Sequence, residues 1–269
     1  MTLAIIAGTG ALPAALVAAL TMRPMICALD GFAPDGVTPD LIFRLERLIP
    51  TFRALQDRGV TEVVFAGAVQ RPRLDPALFD PATAQLVPRL LSAMQDGDDA
   101  TLREVVALFE DHDLQVRAIP DLAPALLPAA GLLAGRITPR DEADARRAAA
   151  IVAALGAVDV GQGTCVVQGL CLGVEALAGT DAMLQSVAAL PEALRPAAAQ
   201  GRGLFYKAAK PGQDRRIDLP TIGPETMRLA AQAGLGGVAF QSGAVICLDL
   251  PGMLAVARDL GLFLWSRPC

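Results

Sequence analysis

The sequence predicts an α/β protein of two domains, an N-terminal domain on a parallel sheet and a C-terminal domain of mixed α/β type. Three observations predict it. In the N-terminal half, short apolar runs alternate with helical patterns, as in parallel βαβ units. In the C-terminal half the runs fall close together around Gly169, as in an antiparallel hairpin. The chain has 269 residues, 53% of them hydrophobic, enough to fill two cores.

The elements follow in order. Leu3–Ala7 reads as a buried strand, Leu12–Leu20 as a helix and Met25–Leu29 as a second strand. A helix over Leu45–Arg58 precedes a third strand at Glu62–Ala66. Residues 84–95 and 99–111 read as helices, and Leu114–Ala118 as a fourth strand. This domain is expected to cover residues 1–135, with polar Arg136–Asp144 as the linker and the second domain over 145–269. There, a helix at Ala143–Leu155 leads into a hairpin of Thr164–Gln168 and Cys171–Ala176. A helix near Ala182–Leu190, a strand near Leu204–Ala208, a helix near Glu225–Ala233 and strands near Val238–Phe240 and Ala244–Leu248 follow.

Composition excludes several function classes. A net charge of −5 argues against a nucleic-acid binder, which needs a basic surface. Five scattered cysteines without a CxxC argue against a disulfide framework or a zinc site, and fit a reducing, cytoplasmic setting. Gly8, Gly10 and Pro13 interrupt the apolar N-terminus, and Leu122–Gly135 carries two prolines, so no transmembrane helix is expected. The one histidine, His112, sits in a charged EDHD segment and reads as a solvated surface residue. A Ser-His-Asp triad is thereby disfavoured, and any catalytic metal falls to hard oxygen ligands, which select Mg²⁺ or Mn²⁺.

Several segments carry chemistry. Lys207 and Lys210, the only lysines, lie three residues apart and precede Asp214, Arg215, Arg216, Asp218 and Glu225. Cations beside carboxylates in a loop stiffened by prolines suit a Mg²⁺-bridged pyrophosphate; the alternative is a solvated charged loop. Asp159–Gly163 and Glu175–Asp181 read either as a second acidic cluster facing the lysines or, for Asp181, as a helix cap. Gly8-Thr9-Gly10-Ala11-Leu12-Pro13 joins a strand to a helix, and Asp30 closes the second strand. That is the layout of a dinucleotide fingerprint, except that Pro13 stands where its third glycine belongs. Phosphate contact and a structural turn both remain open there. Gly67–Pro72 follows the third strand, where ligands meet parallel sheets, and Gly97–Asp99 reads as a turn.

Taken together, Asp159–Gln162, Glu175–Leu184, Lys207–Pro224, Gly97–Asp99 and Gly67–Pro72 resemble the LpxI-type UDP-2,3-diacylglucosamine pyrophosphatases of lipid A synthesis. The resemblance implies a Rossmann-like N-terminal domain and a Mg²⁺-dependent hydrolase. Water would attack the β-phosphorus of UDP-2,3-diacylglucosamine, giving UMP and 2,3-diacylglucosamine 1-phosphate (lipid X). A homodimer and peripheral contact with the inner membrane are compatible with it. Asp214, Asp218 and Glu225, with help from Asp181 or Glu175, are expected to hold the metal and orient the attacking water, and Lys207, Lys210 and Arg215 to stabilise charge on the pyrophosphate. Gly8, Gly10, Leu12, Gln70, Arg71, Gln162, Thr180, Asp181, Gln213 and Thr221 are expected to contact substrate. Leu122–Leu133 is a candidate lining for the acyl chains. The chain departs from the family pattern at Ala178, where glutamate is usual, at Glu225, where aspartate is usual, and at Gln185, where arginine is common. The rival classes are a nicotinamide-dependent oxidoreductase and a non-catalytic nucleotide-binding regulator.

Overall fold

The computed structural model describes residues 2–69, 74–95 and 97–268. The chain divides into two compact units: Met1–Ala125 with Asp214–Asp218, and Leu126–Gln213 with Leu219–Cys269.

The first unit runs β1 (Thr2–Ala7), α1 (Leu12–Ala19), β2 (Met25–Leu29), β3 (Leu41–Phe43), α2 (Leu48–Gln56), β4 (Val60–Ala66), α3 (Pro81–Ala84), α4 (Val87–Gln95), α5 (Asp98–Glu110), β5 (Gln115–Val116) and α6 (Ile119–Leu122). Its sheet has the order β3-β2-β1-β4-β5, and every pairing is parallel. This is the Rossmann-like arrangement, with the order reversing between β1 and β4. β1, β2 and β4 are apolar runs because a parallel sheet is covered on both faces. Phe52, Leu55, Phe109 and Leu114 form the core beside them. The helix expected from Leu45 starts in fact as a 3₁₀ turn, and α2 proper begins at Leu48. There the buried Glu46 carboxylate accepts from Asp75 N at 2.9 Å and pairs with Arg44. His112 is half-buried rather than freely solvated. Its ring lies 4.6 Å from that of Phe52, and Nδ1 is 2.7 Å from Leu108 O.

The second unit runs β6 (Gly131–Ala134), α7 (Pro139–Ala157), β7 (Gly163–Val167), β8 (Leu170–Val174), α8 (Gly179–Ala188), β9 (Leu204–Lys207), β10 (Thr221–Ile222), α9 (Pro224–Gln232), β11 (Gly237–Gln241), β12 (Ile246–Cys247), α10 (Leu250–Asp259) and β13 (Phe263–Arg267). Its main sheet has the order β6-β13-β11-β9-β7-β8. β9, β11 and β13 pair in parallel; the β13–β6, β9–β7 and β7–β8 pairings are antiparallel, so the sheet is mixed. β10 and β12 pair apart from it.

The division of units falls ten residues before the expected linker. β6 is already a strand of the second sheet, and the polar stretch after it is the start of α7. Thr138 and Asp141 form a reciprocal capping box there, so these polar residues serve a helix start rather than a link. Among the described residues no helix is long and apolar enough to cross a membrane.

Arg195 closes the C-terminal end of α8. Its guanidinium donates to the carbonyls of Leu190 (3.2 Å), Ala188 (2.9 Å), Val187 and Ala233 (2.8 Å). A cation donating to carbonyls at the C-terminal ends of α8 and α9 is favourable both as a cap and toward the dipoles. Arg195→Ala is expected to destabilise the second unit by about 1–2 kcal/mol, read as a lower denaturant midpoint. Arg195→Lys should recover only part, since one ammonium cannot span four carbonyls.

Candidate active site

The lysines of the second unit stand at the carboxyl end of β9, beside the start of β7. Lys207 is opposite Gly163 on one side and Phe240 on the other. Its side chain is only 7% exposed. A buried ammonium needs compensating partners, and β8 and α8 supply them. Lys207 Nζ donates to Thr180 Oγ1 at 2.5 Å and lies 3.4 Å from Glu175 Oε2. Thr180 Oγ1 in turn donates to Glu175 Oε2 at 2.9 Å.

Two glycines make room for Glu175, Gly161 for its backbone carbonyl and Gly163 for its carboxylate. A Cβ on Gly161 would fall 2.0 Å from Glu175 O, and one on Gly163 would fall 2.6 Å from Glu175 Oε2. Lys210 forms an ion pair with Asp159. Gln213 Oε1 accepts from Lys210 N and from Gln162 Nε2, both at 3.0 Å. Gln241, at the end of β11, accepts from Ala209 N at 3.2 Å. Of the acidic residues of Asp159–Gly163 and Glu175–Asp181, Asp159 and Glu175 thus contact the lysines. Asp181 lies exposed in the first turn of α8, whose N-cap is Ala178.

Asp214–Asp218 belongs to the first unit. Arg216 grips both oxygens of Asp214, with contacts of 2.7–3.2 Å, and reaches Glu110 of α5 at 2.9 Å. Ile217 packs against the core of that unit. The Arg216 hydrogen bond, opposed by partial burial, holds the Asp214 carboxyl below its ordinary value, so it is ionised at neutral pH. Arg215 is exposed. In the second unit, Glu225 lies exposed in the first turn of α9 and pairs with Arg228 at 3.0 Å. Thr221 Oγ1 donates to Leu219 O at 3.3 Å. Among the described residues no three His, Cys, Asp or Glu side chains converge as a ready metal cage. The carboxylates expected to share a metal are therefore divided, Asp214 and Asp218 in one unit and Glu225 in the other.

At the reversal of strand order in the first unit, the loops after β1 and β4 bond to each other. Thr9 N donates to Ala68 O (2.9 Å), Ala68 N to Thr9 O (3.0 Å), and Gly8 N to Ala66 O (2.9 Å). Gly8 and Gly67 are needed for this approach, because a Cβ on either would meet the other loop's backbone within 2.4–2.7 Å. Gly10, with φ +90°, faces open space, and Leu12 opens α1. Asp30, the residue in the place of a ribose-binding acid, is paired with Arg44 at 2.6 Å. Loops joined in this way and an acid already paired do not favour the nicotinamide alternative. Gln70, Arg71 and the side chains of Asp98 and Asp99 lie outside the described part of the chain.

The expected acyl lining Leu122–Leu133 is split between the units, and Leu133 packs against the second core. It also lines a groove of about 510 Å³ with Arg136, Leu254 and Arg258, and none of the expected site residues is among the lining. The sequence alone marks neither Arg216 as the partner of Asp214 nor Gln241 as a neighbour of the lysine loop. The double arginine was visible; the position of Gln241 follows only from the strand order.

Two family models match the chain, the LpxI N-terminal domain over residues 2–126 and the LpxI C-terminal domain over residues 129–265. The UDP-2,3-diacylglucosamine pyrophosphatase LpxI of Caulobacter vibrioides is 38% identical over 268 residues, which is 97% of this chain and 95% of that protein.

Proposed function

Because the chain belongs to the LpxI family, we propose that it hydrolyses the pyrophosphate bond of UDP-2,3-diacylglucosamine. The structural observation that carries this reading is the buried Lys207. It is held by Thr180 and Glu175 at a strand's carboxyl end, with Lys210 and Gln213 in the following loop. A fixed cation in a largely water-excluded position stabilises phosphoryl charge more than a mobile one.

In this reading water attacks the β-phosphorus. The bond from that phosphorus to the bridging oxygen breaks, UMP leaves with the bridging oxygen, and the water oxygen stays on 2,3-diacylglucosamine 1-phosphate. Lys207, Lys210 and Arg215 take up the negative charge that gathers on the diphosphate. Gln162, Thr180, Asp181, Gln213 and Thr221 of the second unit, and Gly8, Gly10, Leu12, Gln70 and Arg71 of the first, are the proposed substrate contacts.

Mg²⁺ fits the donor chemistry, since the candidate ligands Asp214, Asp218 and Glu225 are hard oxygen donors and Asp214 is ionised. When bound, it would neutralise charge on the diphosphate oxygens. The proposed setting is cytoplasmic, with peripheral contact at the inner membrane and a homodimer as further parts of the reading.

The test is UMP release from UDP-2,3-diacylglucosamine by the purified protein. UMP and the sugar 1-phosphate should appear in equal amounts. Chelation should lower the rate at least about tenfold, and Mg²⁺ should restore it. Absence of UMP under all metal conditions would overturn the substrate, and full activity after exhaustive chelation would overturn the metal.

A further inference from the structure

An ammonium has three N–H donors. Among the described residues Lys207 directs one at Thr180 Oγ1, and Glu175 Oε2 stands 3.4 Å away as a second partner. That leaves one donor for a ligand oxygen. Thr180 bridges the pair, accepting from the lysine and donating to the carboxylate. The three groups come from different elements: Lys207 ends β9, Glu175 follows β8 and Thr180 opens α8.

We infer that Glu175 is a positioning residue, which fixes the Lys207 ammonium through Thr180 so that its remaining donor is presented to the diphosphate. The inference rests on the role of Lys207 in the proposed function. It also fits the glycine at 163, where a Cβ would fall 2.6 Å from Glu175 Oε2 and push the carboxylate away from the lysine. A Lys207 without these partners would still be a cation, but one whose four-carbon stem samples many rotamers. Its contribution to catalysis depends on being held in place before charge develops.

The assignment is distinguishable from a merely structural ion pair by a double-mutant cycle in kcat for UMP release. Glu175→Gln keeps the shape and removes the charge, and is expected to lower kcat roughly 10–100-fold with little change in KM. In a Lys207→Met background the same substitution should cost less than about twofold, because nothing remains to be positioned. Thr180→Ser should retain most of the activity and Thr180→Val should lose it, since only the hydroxyl can bridge. Circular dichroism and the thermal transition of each variant separate misfolding from loss of function. A Glu175→Gln enzyme at the original kcat, or equal losses in both backgrounds, would overturn the inference. Full activity of Lys207→Met would instead overturn the proposed role of the lysine.

Discussion

Lys207→Met is expected to lower kcat for UMP release by about 10²–10³-fold, the loss typical of removing one fixed charge-stabilising donor. Methionine fills the channel of the lysine stem, so the β9 strand and its pairing with β7 and β11 are kept. The substitution also leaves the Glu175 carboxylate, 13% exposed, with Thr180 as its one remaining named partner. That should reduce stability by about 1–3 kcal/mol. The two effects separate in the double variant Lys207→Met/Glu175→Gln. Neutralising both partners of a shielded pair recovers stability, while activity should stay at the level of Lys207→Met. Recovery of activity together with stability would mean that the lysine acts through the fold alone.

The second large effect is expected at Asp144. Its carboxylate, 2% exposed, accepts from Gln168 N at 2.9 Å and from Gly169 N at 2.7 Å. These two residues form the turn of the β7–β8 hairpin, with φ of 52° and 81°, the left-handed pair that a two-residue hairpin turn of type I′ requires. Asp144→Ala leaves both amides without their acceptor, and should cost about 2–3 kcal/mol in the second unit. Asp144→Asn, which keeps one acceptor, should fall between. Urea unfolding followed by the fluorescence of the sole tryptophan, Trp265 on β13, reports this unit. An unchanged midpoint for Asp144→Ala would show that water replaces the carboxylate at the turn.

Much of the fold was legible because its local signals agree with its long-range ones. β1 and β2 hold continuous apolar runs, as does β4 from Val63 to Ala66, and Gly169 marks the hairpin. β3 escaped because Leu41–Phe43 is three residues long and sits in a loop rich in proline and glycine. β6 was absorbed into an apolar stretch whose prolines hid it, and that moved the expected boundary. β13 follows α10 so closely that neither stands out as a separate period.

In the candidate site, the two lysines were visible in the sequence because the chain otherwise relies on arginine. Their partners were less accessible. Lys210 and Asp159 are 51 residues apart, and nothing in the intervening pattern says that β7 and β9 are neighbours. Glycine at 161 and 163 was visible as a motif. Its reason, the space it leaves for Glu175, exists only once the strands are paired.

The membership of Asp214–Asp218 in the first unit means that the backbone passes between the units three times, at Ala125–Leu126, Gln213–Asp214 and Asp218–Leu219. During synthesis, then, the first unit emerges from the ribosome lacking the strip that brings Ile217 and the Asp214–Arg216–Glu110 network to it. Its maturation waits for nearly ninety further residues, so the N-terminal half must persist for a time as an unfinished nascent domain. A fragment ending at Ala125 would be caught permanently in that state.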